Sequence, residues 1–171
     1  RDKEPVSDSV QLAEARDLQT VCRQYGAVLI CNDRLDVALA ADTAGVHLGQ
    51  DDLPPLEARR LVGERLVIGR STHSVEQAQH AVNVEQVDYI GVGSVYDTST
   101  KQARILAGVK LAEQVGALRL PVPVFAIGGI TLDRLRELRS AGVTQVAVSS
   151  AIAADADPES ATRRFLEAMA A

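Results

Sequence analysis

Six short apolar runs recur along the chain, at Gly26–Cys31, Gly45–Leu48, Leu66–Gly69, Tyr89–Gly93, Val122–Ile127 and Gln145–Ser149. Within each run the apolar residues are largely consecutive instead of alternating with polar ones, the pattern of a strand buried on both faces in a parallel sheet. The segments between the runs follow a different period. Leu12, Ala15, Leu18 and Cys22 recur at three and four residues, and Gly26 stands where a helix on that stripe would stop. Leu132, Leu135 and Leu138 repeat the spacing before Gly142. The last segment predicts a helix with Asp157 as N-cap, Pro158 at its first position, and Phe165, Leu166 and Met169 as its buried stripe.

Strict alternation of strand and helix means parallel strands joined by right-handed crossovers. An open doubly wound sheet and a closed (β/α)8 barrel both fit this order. The barrel needs two strands more than the six runs supply. The chain also opens at Arg1, with neither a methionine nor a capped element before it, so a missing N-terminal segment is expected. Two further units of about 20 residues would bring the whole near the compact end of such barrels, about 200 residues. No linker, repeat or low-complexity run interrupts residues 1–171, which read as one barrel domain, incomplete at its N-terminus.

With 171 residues, 46% of them apolar, the chain has ample material for a single core. Aromatics make up only 3% and tryptophan is absent, so aliphatic packing must form that core. A formal net charge of -5 argues against a nucleic-acid or membrane-surface partner, both of which call for clustered Lys and Arg. No apolar stretch approaches the roughly 18–20 residues of a spanning helix. No charged start, apolar middle and small-residue cut site marks a signal peptide, and a cytoplasmic protein is expected. Cys22 and Cys31 lie in apolar surroundings without metal-type spacing and read as reduced core thiols.

Ligands of parallel α/β folds sit at the carboxyl ends of the strands, so the residues that follow each run carry the functional information. They are Asn32-Asp33-Arg34, Gly49 to Asp52, Arg70 to His73, Tyr96 to Lys101, Gly128-Gly129 and Ser149-Ser150. Every strand end therefore carries an acid, a hydroxyl, a lysine or a glycine pair. Gly128-Gly129 lets backbone amides approach an anion that also feels a helix N-terminus, although a plain tight turn explains it equally well. Ser149-Ser150 ends the next run, and two consecutive ends of this kind match the barrel phosphate site after strands seven and eight.

Asp33 and Asp52 follow neighbouring runs and have two readings. Together with water and phosphate oxygens they make a magnesium site, since that ion takes few protein ligands. Alternatively each caps a helix, Asp52 the one led by Pro54. Asp36 reads as a solvated helix-face residue. Thr98, Thr100 and Lys101 form a hydroxyl-rich cationic loop suited to phosphate or pyrophosphate oxygens, or else a polar surface loop. His47 reads as a satisfied core histidine and His80 as a surface one. His73 either hydrogen-bonds in the pocket or caps the helix starting at Ser74. No Ser–His–Asp constellation, zinc-type spacing or GxGxxG is present.

Seven motifs, in order and spacing, resemble the thiamine phosphate synthase family: Arg1-Asp2-Lys3, Asn32-Asp33-Arg34, Gly45 to Leu53, Gly69 to His73, Thr98 to Lys101, Ala126 to Ile130 and Ser149 to Ile152. The resemblance covers essentially the whole chain. It implies a (β/α)8 TIM barrel from which the first strand and most of the second are absent. It also implies a magnesium-dependent transferase of thiamine biosynthesis, which joins a pyrimidinylmethyl diphosphate to a thiazole phosphate to give thiamine phosphate and pyrophosphate.

By position, Arg1, Asp2 and Lys3 would meet the pyrimidine pyrophosphate with Asn32, Ser71 and Lys101, and Asp33 and Asp52 would hold Mg2+. Thr98, Ser99 and Thr100 would meet the thiazole phosphate, which would rest near Gly129, Ser149 and Ser150. The implied mechanism is dissociative, with Arg1, Lys3, Ser71 and Lys101 as the catalytic set. Ser94 and Asp97 stand where the family usually has prolines, and Ser149 replaces a usual aliphatic residue. A thiazole tautomerase-type relative typically lacks the full metal and Thr-x-Thr-Lys pattern, so Asp52 and Thr100 argue against that rival. Retention of Asp33, Asp52 and Lys101 argues against an idle phosphate-binding barrel. The resemblance leaves homo-oligomerisation open.

Overall fold

The computed structural model describes residues 7–97 and 108–170. They form two compact units: residues up to Arg70 together with Glu85–Asp88, and Ser71–Val84 together with the chain from Tyr89 onward.

The first unit contains α1 (Asp8–Gln24), β1 (Ile30–Asn32), α2 (Leu35–Ala40), β2 (Gly45–Leu48), α3 (Pro55–Val62) and most of β3 (Val67–Thr72). β1 pairs with β2, and β2 with β3, all parallel, in the register Cys31↔Val46↔Ile68. Leu48, Ile68, Val46 and Val62 are fully buried here. α1 stops where the sequence places its end. Gly26 takes φ +65°, and the amides of Ala27 and Gly26 bond back to the Cys22 and Arg23 carbonyls at 2.9 and 3.5 Å, the Schellman arrangement.

The apolar stripe of α1 is less buried than its period suggests. None of its residues is fully buried, and Leu18 is 54% exposed. Cys22 and Cys31 are correspondingly half-buried free thiols rather than core ones, and burial pushes the Cys31 pKa up.

Two strands keep the bounds read from sequence, β2 and β4 (Tyr89–Gly93). The first run yields only Ile30–Asn32, because Gly26 and Ala27 are used in the helix stop. β3 runs past Gly69 through Arg70, Ser71 and Thr72. Polar residues continue the strand because they find partners, as when the Thr72 hydroxyl donates to the Gly91 carbonyl at 3.1 Å.

The second unit contains the end of β3, α4 (Val75–Asn83), β4, α5 (Gly108–Ala117), β5 (Val124–Ile127), α6 (Leu132–Ser140), β6 (Val146–Ala147), α7 (Ser150–Ala153) and α8 (Pro158–Ala170). β4, β5 and β6 are parallel neighbours, with Val92↔Ala126 and Ala126↔Val146 in register. Val95, Ala112, Ala126, Ile130, Leu135, Leu138 and Phe165 form one core, aliphatic except for Phe165, and Leu132, Val146 and Met169 pack on it.

Asp157 caps α8 through a 3.0 Å bond from the Ser160 amide to its carboxylate. The stripe of that helix is Ala161, Phe165 and Met169, not Leu166, which is 65% exposed. Neighbouring helix positions point about 100° apart, so Phe165 and Leu166 cannot both face the core. Burial on both faces holds for β2 and β4. β1, β5 and β6 are largely half-buried. No helix among the described residues is long and apolar enough to cross a membrane.

Candidate active site

In the first unit the end of β1 turns sharply. Asp33 adopts φ +65°, a left-handed conformation that a short polar side chain tolerates, and its amide donates to the His47 carbonyl at 2.8 Å. Asn32 is exposed and His47 is half-buried. Arg34 is occupied locally. Its guanidinium bonds both Asp36 oxygens at 2.8 and 2.6 Å, Asp8 at 2.8 Å and Gln11 at 2.9 Å. Those bonds raise the Arg34 pKa and hold that of Asp36 down at about 2. Asp36 is thus exposed but ion-paired, rather than merely solvated.

Asp52 closes the turn after β2. Its Oδ2 accepts the Gly49 amide at 2.7 Å, and its own amide donates to the Gly49 carbonyl at 3.2 Å. α3 is led by Pro54 as N-cap with no side-chain cap bond, so Asp52 does not serve as that helix's cap. Asp33 and Asp52 therefore follow the carboxyl ends of two directly paired strands. A carboxylate has about four lone-pair sites, so one backbone bond leaves Asp52 with lone pairs that can still ligate a cation. Among the described residues no three His, Cys, Asp or Glu side chains gather as a metal cluster. Two carboxylates completed by water or phosphate fit magnesium better than calcium, which takes more protein oxygens.

Sequence reasoning gave no role to Arg70, at the end of β3. It is buried beside Glu85 and donates to the Gly49 carbonyl at 2.6 Å. A charged residue directly after an apolar run was the available signal.

In the second unit, Ser71 lies half-buried next to the last residue of β3. Gly128 and Gly129 take φ +105° and +60° after β5. The Tyr96 amide donates to the Gly128 carbonyl at 3.1 Å. A Cβ on Gly129 would stand 2.9 Å from the Tyr96 Cβ and closer still to the Asp97 carbonyl oxygen. Only glycine fits this approach.

Arg134 of α6 braces the loop by donating to the Gly129 carbonyl at 2.5 Å and stacking 4.5 Å over the Tyr96 ring. The Tyr96 hydroxyl donates to Glu137 at 2.6 Å; burial, then that bond, pushes its pKa up to about 12. The Gly93–Ser94 peptide is cis, and the Ser94 hydroxyl donates to the Tyr96 carbonyl at 2.6 Å. Ser149 and Ser150 are exposed at the start of the short helix α7, with no side-chain cap bond.

His73 resolves differently from either reading taken alone. Its Nδ1 bonds the Gly93 carbonyl, while Ser74 itself caps α4 by accepting the Gln77 amide at 3.1 Å. A cavity of about 340 Å³ between α4 and α5 is lined by His73, Ser74, Glu76, Lys110 and Gln114, none of them an expected substrate contact. Arg1, Asp2, Lys3, Thr98, Ser99, Thr100 and Lys101 lie outside the described residues.

A family model described as thiamine monophosphate synthase matches residues 1–152. The chain belongs to the thiamine monophosphate synthase family. Among curated members, the thiamine-phosphate synthase of Synechococcus sp. (strain WH7803) is 48% identical over 162 residues, covering 94% of this chain and 45% of that protein. The thiamine-phosphate synthase of Synechocystis sp. (strain ATCC 27184 / PCC 6803 / Kazusa) is 47% identical over 166 residues, covering 97% of this chain and 48% of that protein. The chain spans about half the length of the curated relatives it matches.

The solved thiamine phosphate pyrophosphorylase from Pyrococcus furiosus superposes with a TM-score of 0.88 at 34% identity, covering 98% of this chain and 79% of that one. Against that family background, the α/β class with parallel strands is as the sequence led us to expect.

Proposed function

We propose that the protein is a thiamine phosphate synthase, a transferase that joins a pyrimidinylmethyl diphosphate to a thiazole phosphate. The observation that carries the proposal is the family match over residues 1–152, with the described candidate side chains and amides standing at or just beyond strand carboxyl ends. The finer reading of the fold, a (β/α)8 barrel of one domain to which this chain contributes six strands, rests on the likeness to the Pyrococcus furiosus protein.

In this account the methylene–oxygen bond of the pyrimidine substrate breaks, and pyrophosphate leaves with the electron pair. The thiazole nitrogen then forms the new carbon–nitrogen bond, and no proton need be moved. Such chemistry asks for stabilisation of a leaving anion more than for a general base. Asp33 and Asp52 would hold Mg2+, which when bound supplies charge neutralisation to the pyrophosphate. Arg1, Lys3, Asn32, Ser71 and Lys101 bind and orient the pyrimidine diphosphate, with Asp2 beside them. Thr98, Ser99 and Thr100 contact the thiazole phosphate, which rests on Gly129, Ser149 and Ser150. Arg134 and Tyr96 keep the Gly129 turn in shape. We place the enzyme in the cytoplasm.

Product formation tests the proposal. Incubation with both substrates and magnesium should yield thiamine phosphate by mass spectrometry, and omission of either substrate should abolish it. Absence of product from folded protein would reject the assignment.

A further inference from the structure

Arg70 is the only charged residue among the described ones that is fully buried, at 6% exposure. A guanidinium withdrawn from water is costly unless it is paired and bonded. Its ion-pair partner, Glu85, is also largely buried, yet the pairing is loose. Both nitrogen–oxygen contacts are 3.3 Å, and Nε has no aligned acceptor. The tight bond, 2.6 Å, runs instead from Arg70 to the Gly49 carbonyl. The amide of the same Gly49 donates to Asp52 Oδ2 at 2.7 Å. The register Leu48↔Arg70 sets the guanidinium beside this turn. An arginine kept only for its ion pair would show the reverse, close to the glutamate and indifferent to the backbone.

We propose that Arg70 is a positioning residue that acts through Gly49. By clamping that carbonyl it fixes the Gly49–Asp52 turn in the conformation that presents the Asp52 carboxylate to a divalent cation. The inference rests on the reading of Asp52 as a magnesium ligand, and the test separates the two.

The probe is Mn2+ alone, with free metal read by electron paramagnetic resonance, alongside the Mg2+ concentration for half-maximal rate and a thermal melt. Arg70→Met combined with Glu85→Met removes both charges at once, a replacement that buried pairs often tolerate without loss of stability. We expect this variant to melt near the wild type but to bind Mn2+ about tenfold more weakly, the equivalent of one charge-assisted bond. Glu85→Gln, which leaves Arg70 on Gly49, should stay within about twofold of wild type, and Arg70→Lys should fall between. Asp52→Asn should lose the metal outright.

Wild-type Mn2+ affinity in the double variant, with Asp52→Asn defective, would overturn the role of Arg70 and leave the ligand reading standing. Equal loss in Glu85→Gln and the double variant would reduce Arg70 to half of an ion pair, and overturn it too. Unchanged affinity in Asp52→Asn would overturn the ligand assignment itself, and the inference with it.

Discussion

Replacing Gly129 by alanine puts a methyl group 2.9 Å from the Tyr96 Cβ and nearer still to the Asp97 carbonyl oxygen, where ordinary contact begins at 3.4 Å. Both obstacles lie on or next to the backbone, so no flexible side chain can swing aside. The residue must also hold φ +60°, which costs a residue bearing a Cβ roughly 1–2 kcal/mol. Overpacking a closed site adds about 1–3 kcal/mol. The sum is about 2–5 kcal/mol, and for a chain of this size it lowers the melting temperature on the order of 10 °C. Gly116→Ala, within α5 and with nothing inside 4 Å, is the matched control and should gain about 0.5–1 kcal/mol.

Circular-dichroism melts read both effects. Movement of the loop should also raise KM for the thiazole phosphate by about tenfold, as expected for one lost charge-assisted bond. A Gly129→Ala protein that melts within about 2 °C of wild type would refute the steric argument, since even the lower estimate predicts more.

Other variants probe separate parts of the account. Asp88 accepts the Ile68 amide and the Arg59 guanidinium, each at 2.6 Å, at the amino end of β3. Asp88→Ala should therefore cost about 1–3 kcal/mol in urea unfolding while leaving KM unchanged. Asp36 has its pKa lowered from 3.8 to about 2 by Arg34, so its contribution to stability is present above pH 4 and lost as pH falls toward 2. The pair is exposed and worth at most about 1 kcal/mol, so the stability gap between wild type and Asp36→Asn at pH 6 should close on acidification. Asp52→Ala should abolish magnesium dependence together with most turnover; wild-type rate and metal response would reject its assignment as a ligand.

The strand–helix order, the bounds of β2 and β4, the Gly26 stop and the Asp157 cap were all legible in sequence, because each depends on local chemistry. Where tertiary partners decide, the structure departs from the local pattern. The third apolar run ends at Gly69, yet β3 continues to Thr72, since Thr72 bonds Gly91 and Arg70 bonds Gly49 and pairs with Glu85. Periodicity located α1 and α8 but not how deeply each face is covered, hence the exposed Leu18 and Leu166. At the candidate site, the residue types after each strand were readable as chemistry. What holds them was not. The Gly49 bond to Asp52 lies within a motif that names the residues but not their hydrogen bonds, and the Arg134–Tyr96 brace on Gly129 joins residues whose spacing carries no motif.

The proposed condensation requires the release of one pyrophosphate for each thiamine phosphate formed. Phosphorus NMR of the protein with magnesium and both substrates follows all four species in one tube. The pyrimidine diphosphate and thiazole phosphate signals should fall together while pyrophosphate and thiamine phosphate rise in equal amounts. Unchanged spectra with folded protein, or pyrophosphate appearing without thiamine phosphate, would contradict it.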